Sequence, residues 1–113
     1  FAYLGVLVVQ VNKLNSSVTI VKPQTHRLDA SMAETFKNEV KEVVDGGSRH
    51  LIVDFSEVQF MDSSGLGALV GSLKYIGAGG VIEIAQPCDA VQKVLRLTRM
   101  NKVFPVRDTV PTS

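Results

Sequence analysis

A short apolar run, Leu51-Ile52-Val53-Asp54-Phe55, decides more about the fold of this chain than any other stretch. It is too short for a buried helix and nearly unbroken by polar residues, as in a parallel strand buried on both faces. Helices on both faces are the expected cover. Upstream, Ala33, Phe36, Val40 and Val44 fall at helical spacing; downstream, Leu66, Leu69, Val70, Leu73 and Ile76 do the same. A strand between two amphipathic helices is the repeating unit of an α/β domain.

The flanking segments extend that unit. Val18-Thr19-Ile20-Val21 is β-branched, follows Asn15-Ser16-Ser17 and precedes Pro23, so it reads as a strand. With Leu7–Val11 it predicts an antiparallel hairpin. Ser31-Met32-Ala33-Glu34 has the capping-box pattern of a helix start, and Gly46-Gly47 supplies a left-handed stop. Ser56–Asp62 reads as a loop, and Gly77-Ala78-Gly79-Gly80 closes the second helix. Val81–Ala85 is a further strand, and Pro87 precedes a third helix carrying Val91, Val94, Leu95 and Thr98 on one face. Val103–Val106 predicts a weak last strand at a sheet edge, because Pro105 cannot donate to a ladder. The expected order is β-β-α-β-α-β-α-β: one α/β domain over residues 7–108, a mixed β-sheet with helices packed against it. Residues 1–6 are left unassigned and 109–113 form a tail.

Charge narrows the functional classes. Twelve Lys and Arg against eleven Asp and Glu leave a net charge of +1, without the concentrated basic surface that nucleic acid requires. No apolar run reaches the roughly 18–20 residues of a membrane span, and the first residues lack the basic lead of a signal peptide. The single cysteine, Cys88, cannot form an intramolecular disulfide and reads as a packing residue in a reducing compartment. No pair of His or Cys has metal-ligand spacing, and His26 and His50 read as surface residues rather than catalytic bases. An enzyme is not expected, nor a cofactor.

One stretch carries the functional signal: Phe60-Met61-Asp62-Ser63-Ser64-Gly65-Leu66-Gly67. Asp62, Ser63 or Ser64 could cap the second helix by accepting from its first N–H groups. Gly65 and Gly67 each cost about 1 kcal/mol relative to alanine inside a helix. Their presence implies close approach, either of another backbone element or of a partner surface. Three readings remain open on residue chemistry alone. One is an ordinary cap with tight packing, and another is a nucleotide loop. The loop is disfavoured because the seven-residue segment Ser56–Asp62 intervenes after the strand and no Gly-Lys-Ser/Thr ending follows. The third is phosphorylation at an exposed helix N-terminus.

The octapeptide, preceded by Leu51-Ile52-Val53-Asp54-Phe55-Ser56-Glu57-Val58, resembles the signature of the bacterial anti-sigma factor antagonists, the STAS domains. The resemblance spans about Val18 to Val106. It implies a sheet flanked by helices, no catalytic activity and a cytoplasmic partner switch. In that switch the unmodified protein binds an anti-sigma factor that is also a GHKL-type serine protein kinase. Phosphorylation breaks the complex, and a phosphoserine phosphatase restores it. Position by position, the resemblance makes Ser63 the phosphoacceptor. It places Asp29, Asp62, Ser64, Gly65, Leu66 and Gly67 at the partner-binding surface, with no nucleic acid and no membrane involved.

Two departures qualify the likeness. His26-Arg27 stands before Leu28-Asp29 where the family commonly has Gly-Glu, which reverses a charge near the expected contact. The family's last helix has no counterpart in Thr109–Ser113. A constitutive STAS scaffold, never phosphorylated and part of a larger signalling assembly or transporter, is the alternative expectation.

Overall fold

A computed structural model of the chain describes residues 9–111. Its main sheet has five strands: β1 (Val9–Lys13), β2 (Val18–Pro23), β4 (His50–Asp54), β6 (Val81–Ala85) and β7 (Val106–Arg107), in that spatial order. β1 is antiparallel to β2, and all later neighbours are parallel. Between them run α1 (Ala30–Asp45), α2 (Ser63–Ile76) and α3 (Asp89–Leu97). Each crossover steps one strand further in the same direction, so right-handed connections put all three helices on one face.

The core lies between that face and the helices. Val21, Leu51, Val53, Ile82 and Ile84 of the sheet meet Phe36 and Val40 of α1, Leu69 of α2 and Val91 and Leu95 of α3. Leu51–Phe55 is buried throughout, as expected, but helices cover only one of its faces. On the other, Ile52 joins Ile20 and Ala85 in a small cluster covered by Leu14, Val18 and Val110. Here the hairpin turn and the segment after β7 stand in for the expected second helical layer. A strand buried by any cover has the same composition.

Two further expectations, the cap of α1 and the last strand, need correction. α1 is capped by Asp29, whose carboxylate accepts from the Ser31 N–H; Ser31 therefore sits inside the first turn and the expected Ser31–Glu34 box does not form the start. The helix begins where extended pairing of Arg27 and Leu28 ends. At its other end Gly46 is right-handed, and the left-handed step falls on Gly47, at φ 111°. The last strand is shifted to Val106–Arg107, because Val103 and Phe104 donate to Met100 O and close the 3-10 turn Met100–Lys102. β7 lies at the sheet edge as expected, and Pro105 takes part only as an acceptor, from the Ile84 N–H. Of the N-terminal hairpin strand, Leu7 and Val8 lie outside the described residues, as do residues 1–6 and 112–113.

Candidate functional site

Two elements too short for any periodic signal build the site. β3 (Arg27–Leu28) and β5 (Phe60–Met61) form a separate parallel ribbon, pairing Arg27 with Phe60 and Leu28 with Met61. The expected loop 56–62 thus contains a strand. His26 O accepts from both Gln59 N–H and Phe60 N–H, at 2.8 and 3.1 Å, and fixes the register. Leu28 and Met61 point into the core. Each ribbon strand then runs into an aspartate and a helix, so the starts of α1 and α2 stand side by side.

Asp62 is the cap of α2. Its Oδ1 accepts from Ser64 N–H at 2.9 Å and Gly65 N–H at 3.1 Å, satisfying two of the donors a helix start leaves free. Ser63 is the first residue of the helix and is exposed; among the described residues its hydroxyl has no hydrogen-bond partner. Ser64 is half-buried and lines a shallow groove between α1 and α2 with Ala30, Lys37 and Gly67.

The two glycines separate cleanly. A Cβ on Gly65 would stand 2.1 Å from Leu28 O and 2.9 Å from the Met61 side chain. Gly65 is therefore the close approach of α2 to the ribbon backbone, and it is buried. Gly67 is exposed, with nothing within 4 Å of the position its Cβ would take. Internal packing gives no reason for it. Leu66, between them, is half-buried against the core.

Asp29 is held differently. Its Oδ1 accepts from Ser31 N–H at 3.1 Å and Ser31 Oγ at 2.6 Å, and its Oδ2 from Arg27 Nε at 3.3 Å. Ser31's hydroxyl above all holds its carboxyl below the usual carboxylate range; desolvation opposes it, and Arg27 and the Ser31 N–H add smaller lowering effects. The Arg27 guanidinium lies 4.1 Å from the centroid of the Phe60 ring. Arg27's side chain is 62% exposed and Phe60 38% exposed, so the pair forms an aromatic and cationic platform on the surface, two residues before each capping aspartate.

The platform could not be read from the sequence, because it depends on β3 and β5 being in register. Only the unusual Arg27 marked it. His26 sits at the same edge, its Nδ1 3.1 Å from Glu57 O. His50 pairs with Glu83 within the main sheet and has no part here. Cys88 is half-buried at the start of α3, its Sγ 3.6 Å from Gln59 O. Among the described residues, no cluster of three His, Cys, Asp or Glu is placed to hold a metal ion, and no helix is long and apolar enough to cross a membrane.

Comparison with known proteins agrees with this architecture. A sequence model of the family described as STAS domain matches residues 9–113. A protein of Thermotoga maritima, named as a candidate anti-sigma factor antagonist, is 31% identical over 100 residues, which are 87% of this chain and 88% of that one. The crystal structure under that name from the same organism superposes with a TM-score of 0.80 at 28% identity, covering 90% of this chain and 87% of the other. The antagonist SpoIIAA in its unphosphorylated form gives a TM-score of 0.74 at 20% identity, over 87% of this chain and 86% of that one, a likeness of fold alone.

Proposed function

This chain belongs to the STAS domain family, and we propose that it acts there as an anti-sigma factor antagonist whose grip on its partner is set by phosphorylation of Ser63. The observation that carries the reading is the Ser63 hydroxyl: exposed, without a protein partner among the described residues, at the first position of a helix already capped by Asp62. The hydroxyl takes no part in the cap, so it can be modified without breaking a bond that holds the helix start. The partner is an anti-sigma factor that is also a serine kinase of GHKL type. In its transfer step Ser63 Oγ bonds to the terminal phosphorus of a nucleoside triphosphate, the bond to the departing nucleoside diphosphate breaks, and a base on the kinase takes the hydroxyl proton. The chain itself supplies no catalytic group. In the cytoplasm a phosphoserine phosphatase restores the hydroxyl by hydrolysis: water bonds to phosphorus, the bond to Ser63 Oγ breaks and inorganic phosphate leaves.

Charge explains the direction of the switch. At an exposed helix N-terminus a phosphate is favoured by about 0.3–1 kcal/mol, so the fold survives modification. Inside a dry interface, next to Asp62, desolvating the same dianion costs several kcal/mol, which an ion pair repays only with excellent geometry. At about 1.4 kcal/mol per tenfold, that weakens binding by more than a hundredfold. Asp29, Asp62, Ser64, Leu66 and Gly67 are taken as the contact residues for the partner, and the open space at the Gly67 Cβ position supports an approach to α2 there.

Ser63→Ala and Ser63→Glu chains used as paired baits in lysate of the source cell test this. A GHKL-type kinase identified by mass spectrometry on the Ala bait and missing from the Glu bait is the expected result. The same partner held equally by both removes Ser63 as the control point and favours the constitutive scaffold.

A further inference from the structure

The cations around Ser63 are unevenly placed. Lys37 and Lys41 share the α1–α2 groove with Ser64, but their ammonium ends lie against Gly71, two turns along α2, and 5.0 Å from the Tyr75 ring centroid. At the helix starts themselves stand two acids, Asp62 as the cap of α2 and Asp29 as the cap of α1. The ribbon register brings one cation to this end, Arg27, whose Nε is already turned along the chain toward Asp29. That guanidinium is loosely held. It makes one long hydrogen bond and rests on the Phe60 ring, and its two terminal NH2 groups have no hydrogen bond to protein among the described residues.

Resting on the reading of Ser63 as the modified residue, we propose that Arg27 receives the phosphate. When Ser63 is phosphorylated, the guanidinium pivots on Phe60, leaves the Asp29 carboxylate and pairs with the phosphate through its free NH2 groups. A phosphate dianion presents three acceptor oxygens and more charge than a carboxylate, and it matches the planar fork of arginine in a bidentate pair. Asp29 keeps its bonds from Ser31 but loses its countercharge. Modification then rewrites the docking surface at two places: a cationic platform over Phe60 is neutralised, and an uncompensated carboxylate appears one helix start away. A partner that docks an acidic group on Arg27 loses its contact and meets a new negative charge together.

The test uses the chain with phosphoserine built in at position 63 during translation, alone and combined with Arg27→Gln or Arg27→Lys. Phosphorus NMR against pH reads the second ionisation of the phosphate. The midpoint is expected to lie lower with Arg27 than with Arg27→Gln by about half a pH unit or more, with Arg27→Lys between them. Carbon NMR of the Asp29 carboxyl is expected to show its midpoint rising when the phosphate is present. Equal phosphate midpoints in the Arg27 and Arg27→Gln chains, or an Asp29 titration unmoved by phosphate, overturn the proposal. Because the phosphoserine enters by translation, failure of any cellular kinase to modify Ser63 would sink the switch while leaving this measurement intact. Conversely, an unresponsive Arg27 leaves the switch standing.

Discussion

The starts of α1 and α2 are near copies that have been put to different uses. Asp29 and Asp62 hold almost the same backbone, φ −117° and ψ −168° against φ −104° and ψ −170°, at the end of paired ribbon strands. Counting from the aspartate, Ala30 matches Ser63, Ser31 matches Ser64 and Met32 matches Gly65. In α1 the polar groups close on one another, with Asp29 taking Ser31's N–H and hydroxyl and Arg27's guanidinium. In α2 the aspartate serves two backbone N–H groups and leaves the next hydroxyl to solvent. A cap satisfies its helix either way. Only the second arrangement offers a nucleophilic oxygen to a visitor.

The third position is where the copies differ most in what they tolerate. Gly65→Ala would drive a methyl onto the Leu28 carbonyl, a backbone atom that cannot swing aside. The expected loss is about 3 kcal/mol or more, read by chemical denaturation, because α2 must lift off the ribbon. Its counterpart Met32 is half-buried and packs its side chain against the core, so Met32→Ala is expected to cost less. Equal losses would mean the two helix starts are not held by the ribbon as described.

Next in size is the cap. Asp62→Ala leaves Ser64 N–H and Gly65 N–H without their acceptor and should cost about 1 kcal/mol, with Asp62→Asn recovering most of it. Hydrogen exchange at those two amides, compared with the rest of α2, localises the effect. If the exchange is unchanged, Asp62 is not the cap that matters in solution.

These predictions depend on features of very unequal legibility. The three helices and strands β2, β4 and β6 could be read because apolar spacing is a local property of the chain. β3 and β5 have two residues each, and only their pairing across 33 positions makes them strands. Without the ribbon, Ser31–Glu34 is the better local capping pattern, which is why Asp29 is displaced by it in a purely sequential reading. The octapeptide around Ser63 marked the start of α2 from residue types alone. Its glycines could not be told apart, since Gly65 answers to the Leu28 carbonyl and Gly67 to open space. Leu51–Phe55 announced burial on both faces but could not say that loops, rather than helices, cover the second.

Gly67 gives a smaller effect of opposite sign. With open space at its Cβ position, Gly67→Ala is expected to stabilise the fold by about 0.5–1 kcal/mol through helix propensity alone. Under the proposed function it weakens partner binding at the same time, since the added methyl stands where the docking surface approaches α2. Denaturation and a binding measurement on one variant separate the two. A Gly67→Ala chain that is both more stable and bound as tightly would show that this glycine serves neither.

The smallest effect distinguishes the two caps by pH. Asp29's carboxyl is held below its ordinary value of 3.8 by hydrogen bonds from Ser31's hydroxyl and, less strongly, from Arg27. The unfolded chain therefore takes up this proton first as acid is added. Asp29's contribution to stability is fully present above the ordinary carboxylate value and is lost as pH falls through the lowered one. Ser31→Ala is expected to raise the Asp29 midpoint more than Arg27→Gln does, in the order of the two causes, as followed by carbon NMR of the carboxyl. The reverse order would make the guanidinium the main holder of Asp29, and the polar closure of α1 would then rest on the same cation proposed to leave when Ser63 is phosphorylated.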